Sequence, residues 1–266
     1  MTSSGVPRKH ARRAVLGTLA AAAVGGPVLL RGLANAQAAD VSAAAALVWS
    51  PVPSRDGLNA FEGVEDDRSG SHPGVTHIYP QGDTYRVDMH TRDRDGSDRQ
   101  RNEVKGMKQN GTVLTWGNGE TWRLTYDLFI PDALRGTTSF THIFQLKRPG
   151  NGTGPLATIG LRRNGSAEYL TLRPFVSGGE IGRVPLSAAW NRWISIEMTF
   201  LIGDKGTAHF VCTEGGRTLA DDSRSGIDLW LGDRIRPKWG IYRSLDDSKQ
   251  LHDCYLLLRN MRGYRG

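Results

Sequence analysis

Cysteine is scarce in this 266-residue sequence, which has only two. No group of Cys and His stands at the short spacings of a structural zinc motif, so no metal ligands are expected. Cys212 and Cys254 could form a disulfide or pack as two buried thiols, and the sequence leaves both open. There is no Gly-rich phosphate loop and no G-x-S-x-G elbow, which argues against nucleotide chemistry and a serine-hydrolase nucleophile. No strand carries the alternating acids that would give a glycoside hydrolase two carboxylates about 5–5.5 Å apart. Glu197 stands alone on its strand, and Glu103 is flanked by cations. Beyond residue 39, no helix-period run exceeds about ten residues.

The longest apolar run, Ala14 to Leu30, is interrupted by Gly25, Gly26 and Pro27. It falls short of the ~20 apolar residues that span a membrane comfortably. Basic residues precede it, with Arg12 and Arg13 adjacent, and small residues follow in Ala34-Asn35-Ala36 and Ala36-Gln37-Ala38. That order is the one a cleaved secretory signal has, and the arginine pair points to twin-arginine export. Residues 1–39 are therefore read as a leader, 40–47 as a flexible tether and 48–266 as one folded domain. The expected product is secreted, without stable membrane association after cleavage. Five cations (Arg8, Lys9, Arg12, Arg13 and Arg31) and no acid lie in the leader. Removing them takes the formal net charge from +7 to about +2, so the basic balance is no argument for nucleic acid.

What is abundant is period-2 alternation and glycine, with 33 Gly. In Trp122–Ile130, the residues Trp122, Leu124, Tyr126, Leu128 and Ile130 share one face. Trp193–Leu201 alternates likewise, and Gly203-Asp204-Lys205-Gly206 turns it into Thr207–Thr213 as a hairpin. Further strands are predicted at Tyr85–Thr91, Arg99–Lys105, Val113–Trp116, His142–Lys147, Ala157–Arg162, Tyr169–Pro174, Lys238–Arg243 and Asp253–Met261. Many short strands between Gly, Asn, Asp and Pro turns predict an all-β, two-sheet antiparallel sandwich or jelly roll.

Three of these strands carry polar residues on one face. In the first, Arg99, Arg101, Glu103 and Lys105 point one way. In the second, Gln145 and Lys147 share a face, with His142, Phe144 and Leu146 on the other. In the third, Lys238, Gly240 and Tyr242 are backed by Trp239 and Ile241. Placed side by side, these faces would form a groove of cations, one amide and one phenol. Cations and an amide suit an anionic ligand. A phenol beside positive charge suits proton transfer. Asp93, Asp95 and Asp98 are spaced as carboxylates that could hold Ca2+, but the distal Glu of a calcium loop is missing and a charged turn is the better reading.

The ordered set Arg101-Asn102-Glu103-Val104-Lys105, Gln145-Leu146-Lys147 and Lys238-Trp239-Gly240-Ile241-Tyr242 resembles the concanavalin-like jelly-roll polysaccharide lyases. That group includes alginate lyases, glucuronan lyases and the heparin lyase type I enzymes. Its members carry an Arg-x-Glu-hydrophobic-Arg strand, a Gln-x-His strand and a Lys-x-Gly-x-Tyr strand. The resemblance runs from about Tyr85 to the C-terminus. It implies β-elimination on a uronic-acid polysaccharide in a concave groove. Arg101 and Gln145 would neutralise the uronate carboxylate, and Tyr242 would be the general acid and perform base duty in a syn elimination. Arg99, Glu103 and Lys147 would contact substrate, and Lys105 and Lys238 would bind neighbouring sugars or lower the pKa of Tyr242.

The chain departs from the pattern at Lys147, where the family has His. His142 lies on the opposite face by strand parity unless a bulge re-aims it. A base could then come from His90 or His77, or from an Asp or Tyr loop, and the loss of the usual His could instead mean a changed substrate or no activity. The alternatives are a non-catalytic module that binds an acidic glycan and, less favoured, a glycoside hydrolase. The expected partner is an acidic polysaccharide, and the expected state is a monomer without a cofactor.

Overall fold

The computed structural model describes residues 45–150 and 153–266. The leader expected at 1–39 lies outside them, as does the tether up to residue 44. The first strand begins at Ala46 and pairs with the end of the chain, so Ala46 and Leu47 are part of the sheet rather than tether.

In chain order the strands are β1 (Ala46–Trp49), β2 (Gly63–Glu65), β3 (Ile78–Gln81), β4 (Thr84–Met89), β5 (Arg99–Lys105), β6 (Met107–Gln109), β7 (Thr112–Leu114), β8 (Thr121–Phe129), β9 (Thr141–Lys147), β10 (Ala157–Asn164), β11 (Ala167–Pro174), β12 (Ile181–Pro185), β13 (Trp193–Leu201), β14 (Gly206–Glu214), β15 (Arg217–Ile227), β16 (Arg236–Ser244) and β17 (Cys254–Arg265). One eight-stranded sheet runs β15-β14-β13-β8-β17-β4-β3, with β1 added on β17. A seven-stranded sheet runs β12-β11-β10-β9-β16-β5-β2. Neighbouring strands are antiparallel, as the sandwich reading requires.

The alternating residues of β8 are buried in turn, as its sequence predicts. Between the sheets, Trp116 stacks on Trp122 at 4.8 Å and Trp49 on Trp239 at 5.6 Å. All four indoles are fully buried, each worth about 2–3 kcal/mol over exposure. Cys212 and Cys254 are both buried and both free.

Three central strands of the seven-stranded sheet position the site. β16 lies between β5 and β9, with Lys238 opposite Lys105, Gly240 opposite Glu103 and Tyr242 opposite Arg101. On its other side Lys238 pairs with Gln145 and Tyr242 with His142. Gly240 has a φ of +141°, and a Cβ there would lie 2.2 Å from the Asn102 carbonyl oxygen. Only glycine lets β16 sit so close to β5.

The register of β9 breaks once. Phe144 pairs with Ile159, but the next β10 residue, Gly160, pairs with His142. Ile143 is thus an extra residue, a bulge that reverses the parity of the strand. His142 thereby joins Gln145 and Lys147 on the outer face, while Phe144 stays in the core.

Candidate active site

The outer face of the seven-stranded sheet holds a cavity of about 520 Å³. A second, of about 320 Å³, shares Phe140, His142 and Phe175 with it and extends over β10 and β11. Arg99, Arg101, Gln145, Lys147, Lys238 and Tyr242, all expected at the site, line the first.

Tyr242 sits at the centre. Its hydroxyl accepts a hydrogen bond from Arg99 Nη1 at 3.1 Å, and the Arg101 guanidinium lies 3.8 Å over its ring. Phe140 packs against it at 4.9 Å, and the His142 ring lies 5.9 Å away. The phenol therefore has cations at its hydroxyl and at its face, and an imidazole as neighbour.

Beneath this surface lies a network of buried charge. Glu103 is 0 % exposed. Its Oε2 accepts from Lys238 Nζ at 2.6 Å and Arg101 Nη1 at 3.0 Å, and its Oε1 from Gln145 Nε2 at 2.5 Å. Lys238 also donates to Glu65 at 2.8 Å, and Arg101 Nε to Asp95 at 2.8 Å. Burial pushes the Glu65 carboxyl up, but Lys238, Arg101 and Lys105 outweigh it and hold it at about 2. Such a carboxylate cannot act as the protonated acid of a hydrolase.

These pairings correct three expectations. Glu103 has no surface for a sugar to touch, and it instead positions Arg101, Gln145 and Lys238. Lys105 is outside the groove lining, and its ammonium pairs with Glu65 at 3.3 Å because β2 lies alongside at the sheet edge. Lys238 lines the groove but is 3 % exposed and shared by two carboxylates, so it serves as an internal counter-ion. Arg101 keeps Nη2 without a hydrogen-bond partner among the described residues. Gln145 keeps the second hydrogen of its Nε2.

His90, one of the candidate bases, is not at the groove. It follows β4, a strand of the opposite sheet, and its ring faces Asp93, 3.3 Å away. The groove imidazole is His142. Burial lowers its pKa to about 4, with Arg162, Arg101 and Arg173 adding to the effect and Glu103 opposing it. It is therefore neutral at neutral pH, with a lone pair available to accept a proton. The three spaced carboxylates diverge: Asp93 faces histidines, Asp95 pairs with Arg68 and Arg101, and Asp98 with Arg99.

Two further groove residues escaped the sequence reading. Arg162 on β10 and Arg173 on β11 line the second cavity. Neither forms an ion pair among the described residues; Arg162 donates to the Ser139 carbonyl at 2.7 Å. Their strand parity was readable, since Thr158, Gly160 and Arg162 alternate with the buried Ile159 and Leu161. Lys147 likewise lacks an acidic partner and donates to the Thr153 carbonyl. Burial lowers its pKa, and the charges of Lys238 and Arg101 add to that.

No family model matches the chain, and no curated protein matches it in sequence. Solved structures do. A family 7 alginate lyase in complex with product aligns with a TM-score of 0.55 at 12% identity, covering 82% of this chain and 100% of that one. Another alginate lyase structure of polysaccharide lyase family 7 aligns at 0.50 and 13% identity, covering 72% and 84%. The endo-β-1,4-glucuronan lyase of the fungus Trichoderma reesei aligns at 0.48 and 13%, covering 78% and 92%. At such identities the likeness is one of fold, and by that measure this chain is a jelly-roll β-sandwich of the architecture found in the family 7 alginate lyases.

Proposed function

We propose that the chain is an exported polysaccharide lyase that cleaves a uronic-acid-containing glycan by β-elimination. The observation that carries the reading is the meeting of Tyr242, His142, Arg101 and Gln145 on one groove floor. Arg101 Nη2 and the remaining Gln145 amide hydrogen bind the carboxylate of the reacting sugar. Neutralising that carboxylate acidifies the C5 proton beside it. Neutral His142 takes the C5 proton, and Tyr242 gives its own to the departing glycosidic oxygen. Arg99 and Arg101 stabilise the phenolate that remains. Lys147, Arg162 and Arg173 hold carboxylates of neighbouring sugars, which lays the polymer across β9, β10 and β11. Export rests on the basic, apolar and small-residue order of residues 8–38.

The jelly-roll fold shared with alginate lyases, one of them solved with product bound, agrees with that reading. A module that binds the glycan uncut is favoured by one feature, that Arg101 and Lys238 already carry carboxylate partners. Incubation with a panel of uronic-acid polymers separates the two. New ultraviolet absorbance from unsaturated uronate, abolished in Tyr242→Phe, supports the lyase. Binding with no new absorbance on every polymer overturns it in favour of the module.

A further inference from the structure

Away from the groove, two chain segments, the loop before β3 and the loop after β4, bring together His72, His77, His90 and Asp93. Each offers a ligand atom, and these atoms lie within 4.8 Å of one another. No metal ligands are expected from the two cysteines, and these four, which lie within 22 residues of chain, are not weighed with them. The fold turns them toward one another. The Asp88 amide donates to the His77 carbonyl at 2.7 Å, which sets His77 beside the end of β4. The His90 amide donates to Asp93 Oδ2 at 2.6 Å, which turns that carboxylate back toward the rings. The His72 amide donates to Asp67 at 2.8 Å and fixes the loop before β3.

The ring nitrogens converge on one carboxylate. Asp93 Oδ1 is 2.8 Å from His72 Nδ1 and 3.3 Å from His77 Nε2, and Oδ2 is 3.3 Å from His90 Nδ1. The three rings meet edge to face, at 62–76° to one another. His77 is fully buried, yet its Nε2 has no hydrogen-bond partner, and neither has His90 Nδ1. Buried polar atoms without partners are rare in native proteins and call for an explanation. His77 Nδ1 lies 2.6 Å from Asp66 Oδ1, which places its hydrogen there and leaves a lone pair on Nε2. That lone pair faces Asp93 Oδ1, itself an acceptor. Two acceptors at this distance repel unless a cation lies between them.

We propose that His72, His77, His90 and Asp93 form a structural Zn2+ site that ties the loop before β3 to the loop after β4. Three imidazole nitrogens and one carboxylate oxygen suit Zn2+, whereas Ca2+ and Mg2+ take all-oxygen shells. Zinc bonds of ~2.0–2.1 Å in a tetrahedron set ligand atoms about 3.3 Å apart. Four protein ligands close the shell, as in structural rather than catalytic sites. Asp66 supplies the carboxylate that orients a metal-bound histidine from behind. The joined loops also carry Arg68 and Asp95, which pair at 2.8 Å, and Asp95 holds Arg101 Nε. The ion would thus brace one wall of the groove.

The test uses the full chain without an affinity tag, stripped of metal with a chelator and titrated with Zn2+, with Co2+ as a spectroscopic probe. The expected result is one Zn2+ per chain, a Tm that rises with Zn2+, and visible Co2+ bands of four-coordinate intensity. The double variant His72→Ala/His90→Ala loses saturable uptake, and Asp66→Asn weakens it about 10–100-fold. Absence of saturable uptake by the folded wild-type chain, or uptake unchanged in the double variant, overturns the site. Neither readout depends on whether the groove cleaves glycan.

Discussion

The Arg101 guanidinium lies over the Tyr242 ring, its Cζ 3.8 Å from the ring centroid. Neither residue is held by the other alone. Asp95 and Glu103 fix the guanidinium from below, and Arg99 takes the hydroxyl end of the phenol. A cation over an aromatic face is attracted to the ring, so the pair orients the phenol, whose hydroxyl meets Arg99.

Removing only that hydroxyl keeps the stack. Tyr242→Phe is expected to lower kcat by about 10²–10⁴-fold, the usual contribution of a proton-transfer group. Circular dichroism and glycan binding should be unchanged, because Arg101 retains its ring. Near-normal unsaturated-uronate production by this variant would remove Tyr242 from the reaction.

Glu103 is the buried hub, serving Arg101, Lys238 and Gln145 at once. Deleting one partner of a buried charge cluster strands the others. Glu103→Ala is expected to destabilise the fold by about 3–5 kcal/mol, read from urea denaturation midpoints. Acid acts on the same network through Glu65, whose folded pKa of about 2 is below its ordinary value. Its stabilisation is therefore complete above the ordinary carboxylate range and is lost as pH falls toward 2. Glu65→Gln should flatten that acid loss.

The interior of this fold was legible, and its edges were not. Strands such as β8 and β13 bury one face and show it as alternation. β15 escaped because it is an edge strand of Arg, Asp and Ser with almost no buried side, so no period is imposed on it. β2, which brings Glu65 to the groove, is three residues long and at the other sheet's edge. Arg99, Arg101, Lys147 and Lys238 followed from parity, but His142 did not, because a single bulged residue reverses parity without marking the sequence. Nor could sequence show that Lys238 and Glu103 satisfy each other, since the register that joins them spans more than a hundred residues.

Gly240 stands between Lys238 and Tyr242 for a steric reason. Gly240→Ala would drive a methyl into the backbone of β5, 2.2 Å from the Asn102 carbonyl oxygen, at a φ of +141°. Overpacking of this kind costs about 1–3 kcal/mol, with strain of about 1–3 kcal/mol added. A thermal melt should show a clear fall in Tm, and activity should fall with it as β16 moves away from β5.

On the proposed mechanism, Arg162 and Arg173, which line the second cavity, bind polymer and do not react. Arg162→Ala and Arg173→Ala are each expected to raise KM about 5-fold with little change in kcat, in keeping with a partly exposed ion pair of ~1 kcal/mol. The effect should shrink as salt is added. A fall in kcat with KM unchanged would instead place these arginines at the reacting sugar.

As the proposed base, His142 would give the reaction its pH dependence. Burial lowers its pKa to about 4, while an unfolded histidine titrates near ~6.5. Above that value both states are neutral and the fold keeps its full stability. As pH falls, the unfolded chain binds a proton first, so stability drops from about 6.5 downward and levels off once the folded imidazole also charges, near 4. The loss is at most about 3 kcal/mol, and His142→Gln should lack it when denaturation midpoints are compared across that window. The same neutral imidazole sets the acid limb of kcat/KM, which reports the free enzyme's essential base. That limb is expected near 4, well below the ordinary histidine range, with His142→Gln losing about 10²–10⁴-fold in rate. A limb near 6.5 that persists in His142→Gln would assign the C5 proton to a different base.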